Sequence, residues 1–352
     1  MRFVYLGNSN KMKKAFLILC LGFITLSCSD SSSDPVMNEP VFGTPVDDNE
    51  GWSFPLPLID GTGRPFALAK DPVLFPVKNI DFIADEELTA VISMEGEIRV
   101  YPHKYLSKYE SVNDEMKGVS FSMTYCPITQ SALVLNRDYK IYNFVIRASG
   151  YLLYDNVILW DEATESYWSQ ILVECIKGPF KGEINETFNF IEMPWKTVKE
   201  NFPEAVVFSN TSIDDNNQGE NLAKNDIPKG DLVYGVIERR PGKEPNIFGY
   251  HYDDFQNGTV LYNPNIANLN TLVVGNESDH YITNYINDSN ATFSAVQGAF
   301  PIVMKDSNDN YWDVFGRAVS GPREGDQLDS HTGFFALLWA FEKFYEDFTY
   351  VD

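Results

Sequence analysis

Short runs in which apolar and polar residues alternate dominate the first half of the chain. Residues 90–94, 98–101, 119–125, 132–135 and 142–146 are each rich in β-branched or aromatic residues. That pattern predicts strands. Glu95-Gly96-Glu97 between the first two predicts a hairpin turn. Three stretches carry helical signals instead. Residues 103–109 follow Pro102, and residues 195–201 lie between Pro194 and Pro203. Residues 334–345 follow Gly333 with a continuous apolar stripe, which predicts a helix over the whole stretch.

The pattern then recurs. Residues 157–159, Asp161, Tyr167-Trp168, Gly178-Pro179, Gly182, Trp195 and Phe202 are followed later by residues 302–304, Asp306, Tyr311-Trp312, Gly321-Pro322, Gly325, Trp339 and Tyr345. The order is kept and the spacings drift by about one residue per interval, as turn lengths do in a repeated unit. Residues 232–237 echo residues 90–94, and Leu272-Val273-Val274 takes the place of Met123-Thr124-Tyr125. Residues 211–230 hold turn chemistry and almost no core residues, and so mark a boundary. The expected fold is β-rich α+β, with two tandem diverged units of mainly antiparallel strands and short helices. The units span residues 51–212 and 231–352, joined by a connector at 213–230.

The first 50 residues read differently. Arg2, Lys11, Lys13 and Lys14 precede an apolar run at residues 15–26, which ends at Ser27-Cys28. At roughly a dozen residues the run is too short to span a bilayer and fits a secretory signal. A small residue before Cys resembles a bacterial lipobox, with Cys28 as the lipidated first residue of the mature chain. Residues 1–27 are then the lipoprotein signal peptide, and residues 28–50, rich in Ser, Asp, Asn and Pro, a disordered tether. The protein is therefore expected in the cell envelope, held to a lipid bilayer outside the cytoplasm, at the bacterial outer membrane or cell surface. The formal net charge is −23, and loss of the signal's four cations makes the mature chain more acidic still. Such a surface argues against nucleic acid and anionic lipid headgroups as partners.

Thr124-Tyr125-Cys126-Pro127-Ile128-Thr129-Gln130-Ser131 resembles the Thr-Tyr-Cys-Pro-x-Cys-Gly-Ser motif of the bacterial and archaeal family called domain of unknown function 3179. Tyr101-Pro102, Glu110 and Asp114 lie upstream as in that family. Asp161, Thr164, Ser166, Trp168 and Gln170 lie downstream, followed by Gly178, Pro179 and Gly182. Trp312, Gly321, Pro322 and Gly325, with the aromatic run at 334–339, resemble its C-terminal end. Three positions depart from the family's pattern. The second motif Cys is Thr129, the Gly after it is Gln130, and the His that commonly precedes the Glu is Tyr109. The full His-Glu and Cys-Pro-x-Cys set would suit zinc, copper or redox chemistry. This chain keeps one thiol and one carboxylate of it.

Candidate chemistry therefore centres on Cys126, Glu110, His103 and Asp114. Cys126 as a nucleophile would need His103 as its base and Glu110 to orient that base. The competing reading is a buried Cys acting as a small hydrophobe. Cys126 and Cys175 are also a candidate disulfide in an oxidising compartment, against a reading in which both are separate buried thiols. Asp161 with Thr164 and Ser166, and the two Gly-Pro-x-x-Gly segments, read as structural turns because both units carry the Asp, the Trp and the turn. The sequence thus points to a non-catalytic lipoprotein that binds an unknown small ligand or an envelope protein, with no cofactor. The alternative is a thiol or metal protein, with zinc or copper, whose Cys-His-Glu site is partly degenerate.

Overall fold

The hairpin predicted at Glu95-Gly96-Glu97 forms, with Glu97 already in its second strand. Strands β1 (Leu88–Met94) and β2 (Glu97–Pro102) pair across Glu95 and Gly96, both at positive φ, as a tight primed turn requires. Helix α1 (His103–Tyr109) starts directly after Pro102 and closes at Glu110, which is left-handed. The computed structural model describes residues 50–209, 231–239, 244–263, 265–266 and 269–351. The expected signal peptide, Cys28, nearly all of the expected tether and the expected connector at 213–230 lie outside the described residues.

Strands β3 (Ser111–Met116), β4 (Val119–Cys126) and β5 (Ser131–Asn136) make an antiparallel ladder. A second ladder follows from β6 (Ile146–Leu153), β7 (Asn156–Asp161), β8 (Tyr167–Ser169) and β9 (Glu174–Lys177). The strand expected at 142–146 is interrupted, because Phe144 turns into the core between a two-residue pairing at Tyr142–Asn143 and the start of β6. The chain then returns to the first hairpin. Strand β10 (Ile191–Pro194) pairs antiparallel with β1, α2 (Trp195–Asn201) follows, and β11 (Val206–Phe208) pairs parallel with β2.

The C-terminal half runs through corresponding elements. Strand β12 (Leu232–Glu238) pairs with β13 (Asn246–His251), after which a 3-10 turn covers Tyr252–Phe255. Strands β14 (Leu269–Asn276) and β15 (Tyr281–Ile286) pair next. Strands β16 (Ile302–Asp306), β17 (Tyr311–Asp313) and β18 (Ala318–Ser320) form the second counterpart ladder. Strand β19 (Gly333–Leu337) then pairs antiparallel with β12, α3 (Leu338–Phe344) follows, and β20 (Asp347–Tyr350) pairs parallel with β13. The order β10-β1-β2-β11 and the order β19-β12-β13-β20 are the same, direction for direction. Leu272, Val273 and Val274 sit opposite Tyr285, Asn284 and Thr283. Counted back from Asn276, which holds the place of Cys126, they match Ser122 to Thr124, one residue from the expected alignment.

The helix expected over residues 334–345 is the main correction. Its first four residues belong to β19, where Phe334 to Leu337 pair with Gly235 down to Leu232. A short apolar run fits a buried strand as well as a helix, and here the neighbouring strand decides. The correction also aligns Leu338, not Trp339, with the fully buried Trp195 that opens α2.

Asp47–Asp352 forms one compact unit. One apolar cluster runs through both halves, joining Val91, Met123 and Trp168 to Val303, Trp312 and Phe341. Hydrogen bonds cross the seam from the Leu337 amide to the Thr129 carbonyl at 3.0 Å and from the Tyr345 hydroxyl to the Ile171 carbonyl at 2.8 Å.

Candidate functional site: a cleft between the two halves

The motif residues fall into three places. Asp161 and Trp168 join where β7 meets β8, with Trp168 Nε1 donating to Asp161 Oδ2 at 3.1 Å. Thr164 Oγ1 donates to the same carboxylate and contacts Ser166 Oγ at 2.8 Å. In the other half Trp312 Nε1 donates to Asp306 Oδ2, also at 3.1 Å. Each Asp thus satisfies a buried indole and its own loop, which is structural work. Gly178 and Gly321 open the two Gly-Pro turns at φ 107° and 103°. A side chain at Gly178 would meet the Ser166 backbone at 2.8 Å, and one at Gly321 the Asp309 carbonyl at 2.5 Å. Pro179 and Pro322 follow, and Gly182 and Gly325 close the turns, again at positive φ.

A second group is a closed polar network. Thr129 Oγ1 lies 2.9 Å from Ser131 Oγ, and Asn156 Nδ2 donates to Thr129 Oγ1 at 2.9 Å and to Gln170 Oε1 at 2.8 Å. Gln170 Nε2 donates to Thr124 Oγ1 at 3.0 Å. The residue standing where the family's second Cys is expected is therefore a fully buried, hydrogen-bonded hydroxyl. Cys126 lies beside this network with its Sγ 3.6 Å from the Asp155 carbonyl. Burial pushes its thiol upward, against hydrogen bonding from Thr129. The candidate disulfide is not formed. Cys175 is a separate buried thiol in β9, 3.2 Å from the Lys177 carbonyl, and burial raises it to about 11. The segment 171–173 ahead of its strand is a turn, with Val173 at positive φ.

The structure does not bring the four candidate residues to one point. Asp114 is held by Arg99 Nη1 at 2.6 Å and by the Tyr101 hydroxyl at 2.5 Å. Glu110 sits at the left-handed end of α1, its carboxyl raised to about 7 by burial. His103 stacks on Tyr125, with ring centroids 4.3 Å apart. Successive side chains of a strand point to opposite faces. The ring that carries His103 is therefore on the far side of β4 from the Cys126 thiol. No group of three or more His, Cys, Asp or Glu is placed to hold a metal among the described residues.

His103 instead opens onto a cleft of about 330 Å³. Two corresponding positions from each half meet there. The first residue after the second strand of each hairpin lines it, His103 after β2 and Tyr252 after β13. So does the left-handed residue just before β5 and β15, Gln130 at φ 53° and His280 at φ 49°. Tyr252 and His280 are hydrogen-bonded to each other through the hydroxyl and Nδ1. The walls come from Asp85, Glu86 and Glu87 before β1, from Pro194, Lys196 and Thr197 at the start of α2, and from Glu277 and Ser278. Glu87 also accepts the Lys104 amide at 2.7 Å, and its carboxyl is raised by burial.

Behind His103 lies Glu192, on β10. His103 Nε2 is 3.5 Å from Glu192 Oε1, and neither atom has a hydrogen-bond partner. Burial raises the Glu192 carboxyl to about 8. Burial, with His280 nearby, lowers the His103 imidazole to about 3. At neutral pH this is a protonated acid beside a neutral ring, so the inner wall carries no charge.

Comparison with known families gives one match. The family described as a protein of unknown function, DUF3179, matches residues 67–348. The chain belongs to this family. No curated protein and no solved structure matches it. The DUF3179 match covers both halves and every residue that lines the cleft. Sequence reasoning named His103 but missed Glu87, Gln130, Glu192, Tyr252 and Glu277. One signal was present. Tyr101-Pro102-His103 and Tyr250-His251-Tyr252 follow equivalent strands, and four residues separate Cys126 from Ser131 as they separate Asn276 from Tyr281.

Proposed function

We propose that this chain is an extracytoplasmic lipoprotein, anchored through Cys28, whose folded body binds a small polar ligand in the cleft between its two halves without transforming it. The observation that carries the ligand reading is the convergence of His103, Gln130, Tyr252 and His280, two corresponding positions from each half, on one opening. Pockets of a few hundred cubic ångströms that combine aromatic surface with a few placed polar groups are the usual form of small-molecule sites. Two internally related halves that meet at a seam supply such a pocket without a dedicated loop. The anchor follows from the lipobox-like Ser27-Cys28 and the polar stretch after it. Anchorage needs more than one acyl chain, since one chain alone holds a protein only marginally.

The thiol or metal reading has less to stand on. Cys126 and His103 face opposite sides of β4, and the position of the second thiol is filled by the bonded Thr129. The test is a thermal-shift screen of small polar compounds against the wild type and Ser278→Trp. Ser278 is exposed at the cleft mouth, so the indole fills the opening with little demand on the core. Compounds that raise the melting temperature of the wild type should lose that effect in the variant. Equal stabilisation of both proteins would place binding elsewhere, and no stabilising compound at all would remove the reading.

A further inference from the structure

We infer that the cleft takes a small organic cation with N–H donors, such as a primary ammonium or a guanidinium. This rests on the ligand-binding reading above and narrows it to one class.

The charge of the lining is the first argument. Asp85, Glu86, Glu87 and Glu277 stand around the opening against Lys196 alone among the lining residues. Asp85 is partly committed to Lys199, at 2.5 Å. Facing carboxylates in a partly desolvated cleft attract a cation more strongly than the same charges spread over open surface. An anionic ligand would meet the same groups at a cost.

The second argument is independent of charge. His103 lines the cleft, is only 4% exposed, and leaves Nε2 without a hydrogen-bond partner. Glu192 Oε1 behind it is equally unpartnered. A buried polar atom without a partner is costly, so sites that keep one are commonly completed by a ligand or a water. A neutral imidazole has one ring nitrogen free to accept, which a ligand N–H matches.

Tyr125 and Tyr252 add ring surface on the same cleft. Aromatic faces hold ammonium and guanidinium groups by their quadrupole. A divalent metal ion fits less well, because three ligating side chains do not converge anywhere among the described residues.

Titration calorimetry of the intact chain at low ionic strength tests the class. The probes are 1,4-diaminobutane and ethylguanidine, with 1,4-butanediol and succinate as the neutral and anionic counterparts. The two cations should bind, and the diol and the dianion should not. The double variant Glu87→Gln, Glu277→Gln should weaken the cations by roughly tenfold or more, the scale of a charge-assisted hydrogen bond. Gln keeps the oxygen that accepts the Lys104 amide, and circular dichroism checks that the fold survives. Diamine binding unchanged in the double variant overturns the inference, as does failure of both cations to bind. If the diol or succinate binds as well as the cations and Ser278→Trp abolishes it, the cleft stands as a ligand site and the cation class falls. If the cations bind equally to Ser278→Trp, both readings fall.

Discussion

His103 Nε2 and Glu192 Oε1 lie 3.5 Å apart, each without another partner, the first at the start of α1 and the second on β10, which come together only when β10 pairs with β1. Burial holds the carboxyl protonated and the imidazole neutral through the neutral range. The pair is a piece of uncharged wall made from two ionisable residues, and its state is set by desolvation rather than by a nearby opposite charge.

That relationship gives a pH signature. Glu192 has a folded pKa of about 8, above its ordinary value of 4.5, so the folded state holds its proton longer. Its contribution is fully present below about 4.5 and is lost as pH rises toward 8, at no more than about 1.4 kcal/mol per pH unit. His103 has the opposite sign, with its contribution present above about 6.5 and lost as pH falls toward 3. Glu192→Gln imitates the protonated acid. Its stability relative to the wild type should therefore climb between pH 5 and 8 in urea titrations. A difference that is flat over that range would show that Glu192 is already ionised in the folded protein.

Glu110 should behave in the same direction over a narrower window. Its carboxyl is raised to about 7 by burial, so the wild type should lose stability from pH 5 to 7 relative to Glu110→Gln, and no further above that. The midpoint of urea unfolding, followed at half-unit pH steps, reads this directly. Equal midpoint differences at pH 5 and 8 would contradict it.

The two Asp-Trp pairs should respond alike. Asp161→Ala and Asp306→Ala each strand a buried indole N–H that now donates at 3.1 Å, which should cost about 1–3 kcal/mol. Asp→Asn keeps an acceptor and should cost less in both halves. Denaturant unfolding of the four variants makes the comparison, and a loss at only one of the two sites would mark the halves as energetically unlike.

Gly178→Ala and Gly321→Ala should be more harmful than Gly182→Ala and Gly325→Ala. All four have positive φ, but only the first two would drive a methyl group into backbone, at 2.8 and 2.5 Å. The added clash should cost more than the ~1 kcal/mol expected for the left-handed conformation alone. Indistinguishable melting temperatures across the four variants would refute the steric argument.

Cys126 and Cys175 should resist a thiol reagent in the folded protein and react once it is unfolded. Both are buried, and burial raises both thiols, Cys175 to about 11. Peptide mass spectrometry after alkylation with and without denaturant identifies which residue was labelled. Rapid labelling of native Cys126 would return it to candidacy as a reactive thiol.

Lipidation at Cys28 should govern membrane attachment. Cys28→Ala should move the protein from the membrane fraction to the soluble fraction and leave the signal segment uncleaved at that site. Membrane retention of the variant, with wild type found unprocessed, would locate the anchor elsewhere.

Much of this protein was legible in local sequence because the deciding interactions are local. Pro102 and Pro194 mark the starts of α1 and α2, and the helices run over the residues predicted. Glu95-Gly96 supplies the two positive φ values of its hairpin without outside help. The recurring Asp, Trp and Gly-Pro positions identified the paired turns, since each set closes within a few residues of itself. Tertiary structure decided the rest. Phe334 to Leu337 became a strand because β12 offered a free edge, and an apolar run of that length suits either form. The cysteines stayed apart because each lies in a different ladder with its own carbonyl neighbour. The cleft was invisible in sequence for the same reason. Glu87, His103, Gln130, Glu192, Tyr252 and His280 are separated by up to 193 positions and meet only through strand pairing and the packing of the two halves. The protonation states that shape its wall come from burial, which no spacing along the chain encodes.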